Sequence, residues 1–215
     1  MKCNQKDMLL YAVTDRHWLN GRSLAEAVEE SIAGGITFLQ LREKNLCGDA
    51  YRQEALAIQR LCRKHGIPFI INDDVDLALE IGADGVHVGQ DDMCVAEARA
   101  KLGPDKILGV SAHNVEEALR AQADGADYLG SGAVFGTTSK GNVTELSMET
   151  LKAICHAVSI PVVAIGGISH DNVKKLAGTG ISGVAAISAI YGQDNIQKAT
   201  GDLRKLLEEI IQGAE

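Results

Sequence analysis

Four segments of the chain repeat one pattern, in which a helical stretch ends at glycine and an apolar run follows. The segments are GGITFLQLR from Gly34, GADGVHVGQ from Gly82, GADYLGSGAVF from Gly125 and GISGVAAISAI from Gly180. Glycine directly after a helix adopts the left-handed conformation at little cost, and the chain then turns into a strand. Each segment therefore predicts a helix followed by a strand.

Four further apolar runs lie between these segments: MLLYAVTD, IPFIINDD, KILGVSAHN and IPVVAIGGISHDN. Each ends in residue types that suit a helix N-cap, and Pro68 and Pro161 suit the first position of a strand. The runs are rich in Val and Ile and mostly apolar without clean alternation. That composition is typical of parallel strands that are buried on both faces.

Eight such strands, nearly all separated by helical patterns, predict a (β/α)8 TIM barrel that forms one domain across residues 1–215. A doubly wound open sheet is the alternative. We favour the barrel because no G-x-G-x-x-G turn follows the first strand, and because polar residues follow every strand rather than one switch point. In a barrel these polar residues meet at one mouth, where the active site is expected.

Composition and charge exclude several classes of function. The net charge is −8, which disfavours binding to nucleic acid and to anionic membranes, and aromatic residues make up only 4% of the chain. No apolar stretch approaches the ~20 residues of a membrane span. The five cysteines have no C-x-x-C spacing, which suggests reduced thiols. We expect a soluble cytoplasmic protein with small-molecule ligands, and the sequence is compatible with a homo-oligomer.

The second predicted strand ends in an unusual set of polar residues. Period-2 alternation places Gln40, Arg42 and Lys44 on one side, with Leu41 and Glu43 on the other. Arg and Lys together favour a phosphate or diphosphate ligand. A solvated strand end is the alternative when the motif is considered alone. Glu43 has no assigned role from the pattern beyond pairing with a neighbouring cation.

Carboxylates follow the third and fourth predicted strands. Asp73 and Asp92, with nearby amides, offer the hard oxygen ligands that Mg²⁺ prefers, usually one or two carboxylates plus waters and substrate phosphate. Each is one of two consecutive aspartates, so the alternative is that they cap helices beginning at Val75 and Met93. A metal-bound diphosphate between these carboxylates and the two cations explains both charged groups.

The remaining strand ends carry weaker signals. Ser111 could bond a phosphate or start a helix, since Ser is a common N-cap residue. We expect His113 to be a surface residue near a helix start, and His87 to be a hydrogen-bonded core residue. Gly167 lies after the seventh strand and Ser188 after the eighth, where phosphate sites are common in this fold.

The longest irregular stretch is GSGAVFGTTSKGN, residues 130–142. Irregular length in an otherwise economical barrel predicts a binding lid. Its hydroxyls and single lysine could contact anionic oxygens.

Seven motifs in order along nearly the whole chain carry a resemblance: QLREK, INDD, VHVGQDD, GVSAHN, TTSK, AIGGI and AISAI. Together they resemble the thiamine-phosphate synthase family. The resemblance implies a TIM barrel and a Mg²⁺-dependent transferase. Such an enzyme couples a 4-amino-2-methyl-5-hydroxymethylpyrimidine diphosphate to a 4-methyl-5-(2-phosphoethyl)thiazole, plain or carboxylated, and releases diphosphate. Gly136 departs from the family pattern, in which proline often precedes the first Thr.

The resemblance also implies roles for individual residues. Mg²⁺ would be bound by Asp73 and Asp92. Charge on the leaving group would be neutralised by Arg42, Lys44 and Lys140. The residues implied for the pyrimidine diphosphate are Gln40, Leu41, Arg42, Glu43, Lys44, Asn72, Ser111 and Lys140. Those implied for the thiazole phosphate are Thr137, Thr138, Ser139, Gly167, Ile187 and Ser188.

Two other functions stay open at this point. A thiazole tautomerase would share the barrel but would need neither metal nor diphosphate, and the full set of Asp73, Asp92, Arg42 and Lys44 disfavours it. A non-catalytic barrel that binds a phosphorylated ligand is the second. The proposed chemistry needs a stabilised leaving group rather than a strong base, so we expect no essential catalytic histidine.

Overall fold

Eight parallel strands form a closed barrel in a computed structural model that describes residues 4–90, 92–136 and 145–212. Each strand pairs with its neighbours in chain order. The strands are β1 Leu10–Val13, β2 Phe38–Leu41, β3 Phe69–Asn72, β4 Gly85–Val88, β5 Ile107–Ala112, β6 Tyr128–Gly132, β7 Val162–Ile165 and β8 Gly183–Ala186. The predicted TIM barrel is confirmed, and the open sheet is excluded because β1 pairs with β8, with Tyr11 opposite Ala185.

Helices connect most of the strands. They are α1 Leu24–Gly34, α2 Gly48–His65, α3 Val75–Glu80, α4 Val95–Leu102, α5 Val115–Ala123, α6 Met148–Ala157, α7 Ser188–Tyr191 and α8 Ile196–Gln212. Short 3₁₀ turns lie at Gln5–Met8, Arg16–Trp18 and Val173–Leu176. Within the three described ranges, no helix has the length and apolar character needed to cross a membrane.

Side chains of each strand alternate between two separate cores. Leu10 and Ala12 of β1 point outward into the layer beneath the helices, whereas Tyr11 and Val13 point into the barrel. The same alternation continues in the other strands, because successive side chains of a strand point to opposite faces. Because of this alternation, every second residue past the carboxyl end of a strand points toward the mouth of the barrel.

Helix ends follow the predicted chemistry. Ser23 begins α1 with a capping box, since its hydroxyl accepts from the Glu26 N–H at 3.2 Å while the Glu26 carboxylate accepts from the Ser23 N–H. Gly35, with φ of 97°, and Gly66, with φ of 68°, end α1 and α2 in the left-handed conformation. Pro68 directly precedes β3, as predicted.

Two helical predictions are wrong in detail. The stretch before Gly180 was expected to be an amphipathic helix, but only the 3₁₀ turn Val173–Leu176 forms there. The turn ends at Ala177, whose ψ of 135° is not helical, and Gly178 follows with a φ of 69°. The expected helix start at Met93 is also displaced, because α4 begins at Val95 with Cys94 as its N-cap.

Glycine at the start of β4 allows close contact with β5. A Cβ atom at Gly85 would lie 2.0 Å from the carbonyl oxygen of Ile107, whereas a Cβ atom at Gly201 in α8 would meet its nearest neighbour at 3.6 Å. We therefore expect Gly85→Ala to lower the free energy of unfolding by about 1–3 kcal/mol through overpacking. Gly201→Ala is the control, because alanine stabilises a helix interior by about 0.5–1 kcal/mol relative to glycine. Urea unfolding measures both variants, and equal stability of the two would contradict the close contact.

Candidate functional site

A cavity of about 1140 Å³ opens at the carboxyl ends of the strands. It is lined by residues of the inner core, such as Tyr11 and Val163, and by residues at and beyond the strand ends. Ten of the predicted site residues line it: Gln40, Arg42, Lys44, Asn72, Asp73, Asp92, Ser111, Gly167, Ile187 and Ser188. Four others, Thr137, Thr138, Ser139 and Lys140, lie outside the described residues.

The end of β2 shows the predicted alternation. Gln40, Arg42 and Lys44 line the cavity, and Gln40 and Arg42 are nonetheless almost fully buried. Leu41 packs in the outer core instead, and the side chain of Glu43 also lies away from the cavity lining. The solvated-end interpretation does not describe Arg42, which is only 7% exposed.

Arg42 is held by the end of β1. Its guanidinium lies 2.9 Å from Asp15 Oδ2, and its backbone N–H donates to Thr14 Oγ1 at 3.0 Å. The other oxygen of Asp15 accepts from the His17 N–H at 3.0 Å. The sequence suggested only a capping role for this aspartate, so its contact with Arg42 is a site feature that the sequence motifs did not reveal. Its one sequence signal is its position directly after a strand.

Glu43 organises the loop that follows β2. Its carboxylate forms an ion pair with Arg16 and accepts the Asn45 N–H at 2.5 Å. Burial disfavours the charged carboxylate, but the hydrogen bonds from Asn45 and Arg16 outweigh burial and hold the pKa of Glu43 below its usual value. The pairing expected for this residue is confirmed, and it fixes the loop carrying Lys44.

The two aspartates after β3 have different surroundings. Asp74 caps α3, since its Oδ1 accepts the Leu77 N–H at 2.8 Å. Asp73 lines the cavity instead, and its backbone has a φ of 64°, which is unusual for a residue other than glycine. The capping alternative therefore applies to Asp74 and not to Asp73.

Asp92 does not cap a helix either. Its Oδ2 accepts the Gly89 N–H at 2.6 Å within the loop after β4, two residues before the N-cap Cys94. The carboxylate lines the cavity that also contains Asp73.

The donor set can be compared with the needs of candidate metals. Among the described residues, no group of three or more His, Cys, Asp or Glu side chains could hold a metal ion. Zinc sites normally need three or four such ligands. Mg²⁺ usually keeps several waters and takes one or two carboxylates together with substrate phosphate. Asp73 and Asp92 therefore fit Mg²⁺ bound together with a phosphorylated ligand.

His87 is hydrogen-bonded inside the barrel, as expected, but it is only partly buried and also lines the cavity. His87 lies in the barrel, where its Nδ1 is 2.9 Å from Tyr128 OH and its Nε2 is 3.0 Å from Ser111 Oγ. Ser111 lies within β5, and α5 is capped by Asn114, so Ser111 is not a helix start.

His113 stands at the mouth, half-exposed, with Nδ1 3.0 Å from Glu117 Oε2. Burial disfavours the Glu117 carboxylate, but hydrogen bonds from His113 outweigh burial and hold its pKa below the usual value. The imidazole thus has a structural partner on the helix that follows it.

The loops after β6 and β7 pack tightly against each other. A Cβ atom at Gly167 would lie 2.0 Å from the Gly136 carbonyl oxygen, and Gly167 itself has a φ of 62°. Gly136 has a φ of 65°, a conformation that proline cannot adopt. Glycine in place of the family's proline at position 136 therefore agrees with the backbone conformation there. Ile187 and Ser188 follow β8, and α7 begins at Ser188.

Comparison with known proteins agrees with this geometry. The sequence model of the thiamine monophosphate synthase family matches residues 10–190. The chain belongs to this family. It is 50% identical over 203 residues to the thiamine-phosphate synthase of Clostridium tetani, covering 94% of this chain and 97% of that protein. The thiamine-phosphate synthase of Clostridium botulinum is 46% identical over 207 residues, covering 96% and 97%.

A solved structure extends the family match to three dimensions. Thiamine phosphate pyrophosphorylase from Pyrococcus furiosus superposes with a TM-score of 0.88 at 39% identity. The match covers 96% of this chain and 98% of that one. The resemblance seen in the seven sequence motifs is thereby confirmed.

The different surroundings of Asp73 and Asp74 can be tested through stability. Asp74→Ala should lower the free energy of unfolding by about 1 kcal/mol, because it removes the cap of α3. Asp73→Asn should change stability by less, since Asn tolerates the left-handed conformation and Asp73 caps no helix. Thermal and urea unfolding of both variants provide the measurement. A larger loss in Asp73→Asn than in Asp74→Ala would contradict the assignment.

Proposed function

We propose that the chain is a thiamine-phosphate synthase, which joins 4-amino-2-methyl-5-hydroxymethylpyrimidine diphosphate to 4-methyl-5-(2-phosphoethyl)thiazole and releases diphosphate. The observation that carries the proposal is the pairing of charges in one cavity. The cations Arg42 and Lys44 line it together with the carboxylates Asp73 and Asp92, from three neighbouring strand ends. A bound diphosphate with a divalent cation satisfies both kinds of charge.

Mg²⁺ is the proposed cofactor. Asp73 and Asp92 would hold it, with water and phosphate oxygens completing its coordination. When bound, the ion would supply positive charge to the diphosphate oxygens as the leaving group departs. The site supports this proposal because both carboxylates line the cavity and neither caps a helix.

The reaction exchanges one bond for another. The bond between the pyrimidinylmethyl carbon and the diphosphate oxygen breaks, and the electron pair leaves with diphosphate. The thiazole nitrogen then forms a bond to that carbon. Arg42, fixed by Asp15, and Lys44, on the loop fixed by Glu43, would neutralise the charge that develops on the leaving oxygen. Such preorganised electrostatic stabilisation often contributes more to the rate of an enzyme than any other single effect.

The remaining predicted residues have proposed roles as well. Asn72 and Ser111 would contact the pyrimidine substrate, and Gly167 and Ser188 the thiazole phosphate. Following the family resemblance, Thr137, Thr138 and Ser139 are proposed to bind the thiazole phosphate, and Lys140 the diphosphate. Leu41 would contribute through its backbone only, since its side chain is in the outer core. The scattered cysteines support a reducing cytoplasmic location.

One assay tests the function directly. The protein is mixed with both substrates and Mg²⁺, and diphosphate and thiamine phosphate are measured. We expect both products only when both substrates are present, and Arg42→Ala should lower turnover by about 10²–10³. Asp73→Asn should lose Mg²⁺-dependent turnover. Arg52→Ala is the matched control, because Arg52 pairs with Glu80 on the helical exterior.

Other outcomes would favour the competing functions. Conversion of a thiazole without diphosphate release or metal would indicate a tautomerase. Binding of either phosphorylated substrate without turnover would indicate a non-catalytic barrel. Normal turnover in both Arg42→Ala and Asp73→Asn would contradict the roles assigned to this site.

His113 provides a separate prediction. Because the chemistry needs charge stabilisation and His113 pairs with Glu117 at the mouth, His113→Ala should retain most of the turnover. Steady-state kinetics at saturating substrates measures the effect, with circular dichroism to confirm folding. Loss of most activity in a folded variant would show that an acid–base group takes part.

A further inference from the structure

A chain of hydrogen bonds crosses the barrel interior next to the cavity. It joins five side chains from strands β1, β2, β4, β5 and β6. The contacts are Gln40 Nε2 to Tyr11 OH at 2.5 Å, Tyr11 OH to Tyr128 OH at 2.8 Å, Tyr128 OH to His87 Nδ1 at 2.9 Å, and His87 Nε2 to Ser111 Oγ at 3.0 Å. Its two ends, Gln40 and Ser111, line the cavity, and so do Tyr11 and His87 between them.

Inward glycines on two strands provide the space for this chain. A Cβ atom at Gly109 would lie 2.1 Å from the ring of Tyr128, and one at Gly130 would lie 3.1 Å from the ring of His87. Gly109 pairs with Tyr128 across β5 and β6. The tyrosine rings are buried and pack edge to face at 5.9 Å, so they have little freedom to leave the chain.

The groups at the two ends of this chain of hydrogen bonds bear on which atom donates in each bond between them. An amide nitrogen can only donate, so Tyr11 accepts from Gln40. The order that keeps each hydroxyl hydrogen within the chain then has Tyr11 donating to Tyr128. In that order Tyr128 donates to His87 Nδ1, which is then the unprotonated nitrogen of a neutral ring. The proton of that ring lies on Nε2 and is donated to Ser111.

The order determines what the cavity presents to a ligand. The amide oxygen of Gln40 is left as an acceptor, and the hydroxyl hydrogen of Ser111 is left as a donor. We propose that Tyr11, Tyr128 and His87 are positioning residues, which hold Gln40 as an acceptor and Ser111 as a donor toward the substrate. This chain of hydrogen bonds thereby favours a substrate ring that presents an N–H donor to Gln40 over one that presents a carbonyl acceptor there.

The substrate part of this inference rests on the proposed function. An aminopyrimidine carries an N–H donor on its amino group next to an acceptor ring nitrogen, which matches the two ends. A 4-oxo analogue of the same pyrimidine reverses the donor and the acceptor, and the ordered chain opposes it. Turning the Gln40 amide over would reverse every hydrogen in the chain and would favour the oxo ring instead.

The tautomer of His87 tests the order without any turnover. The full-length protein is labelled with ¹⁵N-histidine, and nitrogen NMR at neutral pH without substrate reports which ring nitrogen carries the proton. A His87→Gln variant assigns the signal. We expect a neutral ring protonated at Nε2. A ring protonated at Nδ1, or a charged ring, would overturn the proposal. This result does not depend on whether the protein is a synthase.

Substrate discrimination tests the consequence. Tyr128→Phe removes the hydroxyl that joins Tyr11 to His87, and Tyr11→Phe is a second variant should the first not fold. We expect the preference for the amino over the oxo pyrimidine diphosphate to fall by about tenfold, mainly through KM, which is the effect of about one hydrogen bond.

The control removes the same atom from another buried tyrosine. Tyr191 lies outside the cavity lining, with its hydroxyl 3.3 Å from Ser31 Oγ. Tyr191→Phe should leave the preference unchanged. An unchanged preference in folded Tyr128→Phe and Tyr11→Phe would overturn the positioning role, and a loss of kcat equal for both substrates would indicate a structural role only.

Discussion

The pairing of β1 with β8 closes the sheet, and the positions of the site residues depend on that closure. With Leu10 opposite Val184 and Ala12 opposite Ala186, each of the eight described strands has a neighbour on both sides, and their carboxyl ends meet at one mouth. Closure also separates an inner core from the layer beneath the helices. A cavity lined by residues from far apart in the sequence is a direct result.

Much of the site could be predicted from two local rules. Alternation along β2 correctly directed Gln40 and Arg42 inward and Leu41 outward, because side-chain direction in a strand depends only on sequence parity. Capping preferences correctly predicted helix N-caps after the strands, since Asp74 caps α3 and Asn114 caps α5. The sequence could not show which of the two adjacent aspartates caps α3. Asp73 and Asp74 are the same residue type, and the backbone conformation of the loop decides between them.

Other features depend on contacts across the barrel and could not be read from one sequence. Tyr11 and Tyr128 are 117 positions apart and, in the sequence, look like ordinary core residues. Their meeting depends on the stagger of the strands around the barrel and on the space left by Gly109. The Asp15–Arg42 pair depends likewise on the register between β1 and β2. Both features fix the position of groups that line the cavity.

Cations and carboxylates at this mouth would together hold a diphosphate through a shared metal ion, and the proposed chemistry depends on that arrangement. Calorimetric titration of the wild-type protein with inorganic diphosphate, once in Mg²⁺ and once in a chelator, tests it most directly. We predict clear binding in Mg²⁺ and much weaker binding in the chelator, because Asp73 and Asp92 repel the anion when no metal ion lies between them. Equal affinity under both conditions would contradict the shared metal ion and would leave the two carboxylates without their proposed role.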